Sequence, residues 1–447
     1  MFRKVLIANR GEIAVRIMRA CSVLGIQPVT IHSEADAAAP HATGAESYLV
    51  GPAPVAQSYL NVDAILEAAR TSGAEAVHPG YGLLSENAEF ARRVIEAGLV
   101  WIGPSPEAIA RMGDKVEARA FAEAAGVPVV PGTGSPVPDV AAALAAAETI
   151  GYPVMLKAAK GGGGIGMQLV HDAAELEKAH KLCTARAKAY FGDASVYVEK
   201  ALDRPRHIEI QVLADSHGRA VHLGERECSV QRRHQKVVEE AGSPAVDDAL
   251  RARMGEVSLQ LVRALGYVNA GTLEFLLDAS GSFHFLEMNT RLQVEHPVTE
   301  AVTGVDLAVW QIRIAAGEHL EASIGASTFR GHAIECRLYA EDPVTGFPSP
   351  GTLDTVVWPE DVRVDTFVSA GTVVSPHYDP MLAKIVVHGE DRARAIARME
   401  EVLERTVVTG VKTNLPVLKQ VMGHPDFRSG AFDTGLLGRM AAVAATV

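Results

Sequence analysis

Cysteine is scarce. Cys21, Cys183, Cys228 and Cys336 are the only four in 447 residues, and no two stand in CxxC spacing. Neither a zinc site nor a disulfide framework is indicated, and a reducing cytoplasm fits. No uninterrupted apolar run approaches the roughly 20 residues of a membrane-spanning helix. The N-terminus enters a strand at once, without a signal peptide's hydrophobic region or cleavage site. An excess of positive charge is missing as well: the net charge is −12, which argues against a nucleic-acid surface. The basic cluster Arg232-Arg233-His234-Gln235-Lys236 is local, and it reads either as a solvated face or as a small-anion site. The first turn of the N-terminal strand–helix series, Ala8-Asn-Arg-Gly-Glu-Ile13, lacks the GxGxxG fingerprint, which disfavours a nicotinamide enzyme, and no Walker A loop GxxxxGK[ST] is present. No internal repeat is present. What remains is an ordinary globular composition, 48% hydrophobic and 21% charged, with enough chain for two or three domains.

The first hundred residues alternate strand and helix signals. Strands are expected at Lys4–Ala8, Pro28–His32, Ser47–Gly51, Ala76–His78 and Leu99–Ile102, with helices at Glu12–Leu24, Asp63–Thr71 and Ala88–Glu96. Such alternation implies a doubly wound parallel sheet. Residues 107–126 look helical, and a Pro/Gly-rich stretch containing Pro128, Pro131, Gly132, Gly134, Pro136 and Pro138 reads as a linker. Residues 139–210 read as helix, strand, Gly-rich loop, helix and strand, enough for a small lobe. From about residue 331 the pattern is mixed strands followed by helices.

The most informative stretch runs from Phe283 to Pro297. Glu287, Asn289, Arg291, Gln293 and Glu295 alternate with Met288, Leu292 and Val294. In an extended chain the five polar residues share one face. Carboxylates and amides there are hard oxygen ligands, and the guanidinium offers an anion site beside a candidate base. Just upstream, Thr272–Asp278 reads as a strand carrying one odd residue, Glu274. A four-residue loop from Ala279 to Ser282, with Gly281 free to take positive φ, would face Asp278 to Phe283 and Glu274 to Glu287. Two charges at about 4 Å repel by roughly 4 kcal/mol at an effective dielectric of 20. A shared Mg²⁺ or Mn²⁺ would offset that; so would one protonated or solvent-facing carboxylate.

Other groups are ambiguous singly. Lys157 ends a strand just before Gly161-Gly-Gly-Gly-Ile-Gly166, a glycine run that lets backbone N–H groups approach phosphate oxygens. Lys115 is a candidate second phosphate lysine or a surface lysine. Ser195–Lys200 reads as a strand whose end could hinge beside a nucleobase. His207, Glu209 and Gln211 share one strand face, and Gln231, His234 and Lys236 follow them. Arg337 is a lone strand arginine that a salt bridge would also explain.

Taken together, these residues resemble the biotin carboxylases of the ATP-grasp superfamily, over nearly the whole chain. The resemblance rests on Ile7–Ile13, His78–Asn87, Met112–Lys115, the glycine loop, Arg206–Gln211, Gln231–Lys236, Glu287–Glu300, Glu335–Pro343, Tyr378-Asp379, and Thr413-Asn414 to Thr434. It implies an α/β and α+β multidomain chain. An N-terminal doubly wound parallel sheet (1–114) precedes an ATP-grasp domain (115–330) whose mobile Gly-rich lid spans about 131–203, and a mixed α+β C-terminal domain (331–447) closes the chain.

The implied activity is ATP-dependent carboxylation of biotin by bicarbonate through carboxyphosphate. By motif match, ATP would meet Lys115, Lys157, Gly162, Gly163, Gly164, Gly166, Glu199, Lys200, Leu202, His207, Gln231, His234 and Leu276. Glu274, Glu287 and Asn289 would hold Mg²⁺ or Mn²⁺, two ions in all. Lys236, Arg291, Gln293 and Val294 would bind bicarbonate, Glu295 would be the base, Arg337 would stabilise the biotin enolate, and Tyr81 would line the biotin site. The sequence carries no Met-Lys-Met biotinylation motif. Biotin is therefore expected on a separate carrier protein, with separate carboxyltransferase subunits, in a cytoplasmic homodimer without nucleic-acid or membrane partners. Another ATP-grasp ligase, such as a carbamoyl-phosphate-forming enzyme, and a non-catalytic ATP-binding scaffold are the alternatives. Departures from the pattern are Lys160 and Ile165 in the glycine loop and Gly346-Phe-Pro348.

Overall fold

The computed structural model describes residues 1–159, 166–325 and 329–444. Lys160, Gly162, Gly163, Gly164 and Ile165 therefore lie outside the described residues. Lys4–Ile7, Gln27–Ser33, Glu46–Gly51, Ala76–His78 and Val100–Trp101 form one sheet in the order third, second, first, fourth, fifth. All its neighbours are parallel. The expected strands and helices are all present, with ends shifted by a residue or two, as fraying ends commonly are. Helix starts are fixed by side chains: Asn61 and Asn87 accept the N–H groups of Ala64 and Phe90. The first crossover turn does not make a dinucleotide cradle. Asn9 Nδ2 donates to the carbonyls of Pro79 and Tyr81 at 2.7 and 2.8 Å, so the turn anchors the loop that carries Tyr81.

The small lobe packs helices Val140–Ile150 and Ala173–Phe191 on a three-stranded antiparallel sheet of Met167–Val170, Val154–Ala158 and Val196–Lys200. The four-residue strand Met167–Val170 was not expected, being too short to show a period. The Pro/Gly-rich stretch before the lobe is no free linker. The Lys200 N–H donates to Pro131 O at 2.7 Å and the Phe285 N–H to Pro128 O at 2.7 Å, joining lobe and body. Gly132 permits this: a Cβ there would stand 2.7 Å from Val198 O.

An eight-stranded sheet forms the body. Its order is Phe283–Asn289, Asn269–Leu277, Arg206–Ala214, Ala220–Arg232, Gln235–Ala241, His332–Tyr339, Met381–Gly389 and Arg363–Thr366. Every neighbour is antiparallel. The sheet thus passes without a break from the middle of the chain into its last third. Helices Asp248–Leu265 and Arg392–Arg405 cover it through apolar stripes that include Met254, Val262, Met399 and Leu403.

The hairpin differs in detail from the expected one. Its loop has five residues, Asp278–Ser282, and Leu277 faces Phe283. Asp278 Oδ1 accepts the N–H groups of Ser280 and Ser282, and Gly281 takes φ +81° as expected. One extra residue, Leu286, then bulges out of the ladder, and Glu274 pairs with Glu287 after all.

Candidate active site

The strand carrying Glu287 ends at Asn289, and residues 290–295 turn into the helix His296–Thr303. The expected extended face is therefore shorter than five residues. The polar groups still converge, because Arg291 folds back. Its Nη2 donates to Asn289 Oδ1 at 3.0 Å, its Nη1 to Gln293 Oε1 at 2.9 Å, and its Nε to Glu86 Oε2 at 2.8 Å. The same Glu86 accepts the Thr290 N–H at 3.1 Å. Leu292 anchors the turn in the apolar core.

A cleft of about 590 Å³ opens at this turn. Its walls include His207, His234, Lys236, Glu274, Glu287, Asn289, Arg291, Gln293, Val294, Glu295, Arg337 and Tyr81. Twelve predicted site residues therefore meet in one cavity, drawn from six separate stretches of chain. The far wall, with Arg10, Phe367 and Tyr378, comes from the first and last thirds of the sequence.

Lys236 is the electrostatic centre. Its Nζ lies 2.6 Å from Glu209 Oε2, 2.8 Å from Glu274 Oε1 and 2.7 Å from Glu295 Oε1. Burial works against its charge, but the three carboxylates raise its pKa well above the ordinary lysine value. Glu295 is fully buried. Burial pushes its pKa up, and Lys236, Arg337 and Arg226 overcome that, holding it well below the usual carboxylate range. It is a carboxylate at neutral pH. Arg337 Nη2 bridges Glu295 Oε2 at 2.8 Å and Glu239 Oε1 at 2.5 Å.

The repulsion expected between Glu274 and Glu287 is relieved by nearby lysines. Glu274 meets Lys236, and His207 Nε2 lies 3.0 Å from its Oε2. Glu287 meets Lys115 Nζ at 3.5 Å. Gln231 Nε2 lies 2.9 Å from His207 Nδ1 and orients that ring. Two carboxylates on adjacent strands, with Asn289 beside them, form a hard-oxygen donor set at one cleft wall. That set fits Mg²⁺ or Mn²⁺.

The remaining predicted residues stand on the lobe side. Lys157 Nζ lies 2.5 Å from Glu199 Oε2, and Arg119 Nη1 reaches the other oxygen at 3.4 Å. Lys200 Nζ donates to the carbonyls of Gly151 and Tyr152, so it presents backbone rather than charge to a ligand. Leu202 follows that strand, and Leu276 lies opposite His207. Gly166 closes the glycine loop, and its carbonyl accepts the Cys183 thiol.

Sequence reasoning gave no role to Arg226, which is fully buried. It holds Glu209 and donates to Gln211 Oε1 at 2.7 Å, Thr299 Oγ1 at 3.0 Å and Thr272 Oγ1 at 3.0 Å. The available signal was the charged triplet Glu225-Arg226-Glu227 in the middle of the strand Ala220–Arg232.

Comparison with known proteins matches three family models in series. They are the biotin carboxylase N-terminal domain over residues 1–109, the ATP-binding domain of the carbamoyl-phosphate synthase L chain over 114–323, and the biotin carboxylase C-terminal domain over 335–439. A biotin carboxylase of Halalkalibacterium halodurans is 54% identical over 440 residues, covering 98% of this chain and 97% of that protein. The chain belongs to the biotin carboxylase family. It is accordingly an ATP-dependent ligase, working with Mg²⁺-ATP and bicarbonate and carboxylating biotin. Among solved family members, the Campylobacter jejuni biotin carboxylase in complex with β,γ-ATP superposes with a TM-score of 0.95 at 43% identity, covering 98% of this chain and 99% of that one. The biotin carboxylase domain dimer of Hydrogenobacter thermophilus 2-oxoglutarate carboxylase, with MgADP, ADP and bicarbonate, gives 0.95 at 45% identity, covering 99% and 98%.

Proposed function

We propose that this chain runs the first half-reaction of a multisubunit acyl-CoA carboxylase, on biotin held by a separate carrier protein that shuttles to carboxyltransferase subunits. We assign it a homodimeric, cytoplasmic form, and its four buried free thiols fit a reducing compartment. The observation that carries the reading is the convergence of Glu295, Lys236, Arg291 and Arg337 on one cleft. A carbamoyl-phosphate-forming enzyme needs no acceptor-side arginine such as Arg337, and a silent scaffold needs no buried base.

Bicarbonate binds between Lys236 and Arg291, with Gln293 and the backbone of Val294 around it. Two charge-assisted donors suit a small planar anion. In the ligand-free protein Glu295 is a weak base, because Lys236 and Arg337 both neutralise it. An incoming anion competes for those cations, and the basicity of Glu295 rises as they are drawn off. Its carboxylate then takes the bicarbonate proton while the freed oxygen attacks the γ-phosphorus of ATP and ADP departs. Glu274, Glu287 and Asn289 would hold the metal, whose charge would offset that of the phosphates. Lys115, Lys157, His207, Gln231 and His234 orient the nucleotide. Gly166 stands on its phosphate side, while Glu199–Leu202 and Leu276 border the base. Carboxyphosphate splits to CO₂ and phosphate. The phosphate removes the ureido N–H proton of biotin, and the ureido nitrogen attacks CO₂. Arg337 offsets the enolate charge on the ureido oxygen, with Tyr81 against the ring.

ADP release with Mg²⁺-ATP and bicarbonate, with and without free biotin, tests this directly. Stimulation by biotin that vanishes without bicarbonate is expected. Cleavage indifferent both to biotin and to a biotinylated carrier would sink the reading. Arg337→Ala should lower biotin carboxylation by about 10²-fold or more relative to biotin-independent ATP cleavage. Equal losses in the two assays would remove its assigned role.

A further inference from the structure

Two carboxylic acids that the reaction above does not use face each other inside the eight-stranded sheet. Glu239, on Gln235–Ala241, pairs in register with Glu335, on His332–Tyr339. Both are fully buried. Like charges directly opposed on antiparallel strands repel. Among the described residues, none of their four oxygens accepts a hydrogen bond of good geometry. Buried carboxyl oxygens nearly always do. Packing alone does not account for such a pair, since apolar replacements of buried ionic groups are often neutral or stabilising. The one close contact is functional: Glu239 Oε1 lies 2.5 Å from Arg337 Nη2. The other charged or titratable groups acting on the pair are Lys236 on the strand of Glu239, Glu295 at the cleft turn, Lys384 on Met381–Gly389, the Cys228 thiol on Ala220–Arg232, and Cys336 and Tyr339 on the strand of Glu335.

We propose that Glu239 and Glu335 form a buried acid pair holding one proton, and that the ionised Glu239 is a positioning residue fixing where the Arg337 guanidinium stands. This rests on the role given to Arg337 above. Burial raises Glu239 to about 7 against the pull of Arg337. Burial also raises Glu335 well above the ordinary range, and Glu239 adds to that rise. The proton therefore resides on Glu335, and the charge on Glu239 is what Arg337 meets. When Arg337 turns to the ureido oxygen of biotin, Glu239 loses its counter-ion. The proton held across the pair keeps it from standing as an isolated buried anion, and no proton need enter or leave.

The test compares Glu335→Gln and Glu239→Gln with the unaltered enzyme, following ADP release with and without biotin between about pH 6 and 9. In the unaltered enzyme, acid neutralises Glu239 and frees Arg337, so biotin-dependent kcat should fall as pH drops through about 7. Glu335→Gln mimics the protonated acid already standing there, so no charge is lost and the acid limb should stay within about half a pH unit of its place. Glu239→Gln should cost biotin-dependent kcat about tenfold more than biotin-independent cleavage and abolish that limb. A limb that moves down by about a pH unit or more in Glu335→Gln would show Glu335 ionised and, like parallel losses in Glu239→Gln, would overturn the proposal. Should Glu239→Gln fail to fold, Glu239→Asp decides: it keeps the charge but shortens its reach to Arg337, so biotin-dependent kcat should fall more than biotin-independent cleavage, and parallel losses there would overturn the proposal. An unaltered enzyme without biotin stimulation would defeat the functional reading instead.

Discussion

Glu295→Gln should lower bicarbonate-dependent ADP release by about 10²- to 10⁴-fold, the usual contribution of a positioned general base. The amide keeps the shape of the side chain and cannot take a proton. The fold should tolerate it, because the two cations that Glu295 meets keep other partners. Lys236 still contacts Glu209 and Glu274, and Arg337 still contacts Glu239. ATP affinity should change little, since the lysines assigned to the nucleotide pair elsewhere, Lys115 with Glu287 and Lys157 with Glu199. The decisive comparison is turnover against nucleotide binding, measured on the same preparation. Near-normal turnover in the variant would end the assignment of Glu295 as base. Loss of ATP binding together with turnover would make it a structural residue.

How much of this was legible beforehand depends on the range of the interaction. The carboxylate–amide–guanidinium run of Glu287–Glu295 and the opposed Glu274 lie within 22 residues of one another, so period and turn chemistry locate them. Even there the register came out correctly through two offsetting departures: the loop is one residue longer than expected, and Leu286 bulges to restore the pairing. The parallel N-terminal sheet was readable because its strands are short, largely apolar runs regularly separated by helices. Arg226, Glu239 and Glu335 were not readable in the same way. What makes them important is which strands become neighbours, and Glu239 meets Glu335 across 96 positions of chain. The Pro/Gly-rich stretch misled for a local reason. Its composition permits a flexible linker, yet the backbone hydrogen bonds at Pro128 and Pro131 come from tertiary partners.

Arg226→Met should be the most destabilising single change at the site, by about 3–5 kcal/mol, the cost of removing one partner from a buried charge pair. The side chain is fully buried, and Glu209, Gln211, Thr272 and Thr299 all depend on it. Burial works against its charge, but Glu209 and Glu295 raise its pKa above the ordinary arginine value. It belongs to a cluster in which Arg226, Lys236 and Arg337 are distributed among Glu209, Glu274, Glu295 and Glu239. Such a cluster is costly to assemble in low dielectric, and it holds the base and the anion site in fixed relation before substrate arrives. A lowering of Tm on the order of 10 °C is expected for a loss of this size. Because the charge left on Glu209 is the cause, adding Glu209→Gln should restore part of the lost Tm, a coupling that independent sites do not show. Recovery without activity would confirm that the cluster serves chemistry as well as the fold. A single variant as stable as the unaltered protein would show that Lys236 alone neutralises Glu209, and the idea of an interdependent cluster would fall.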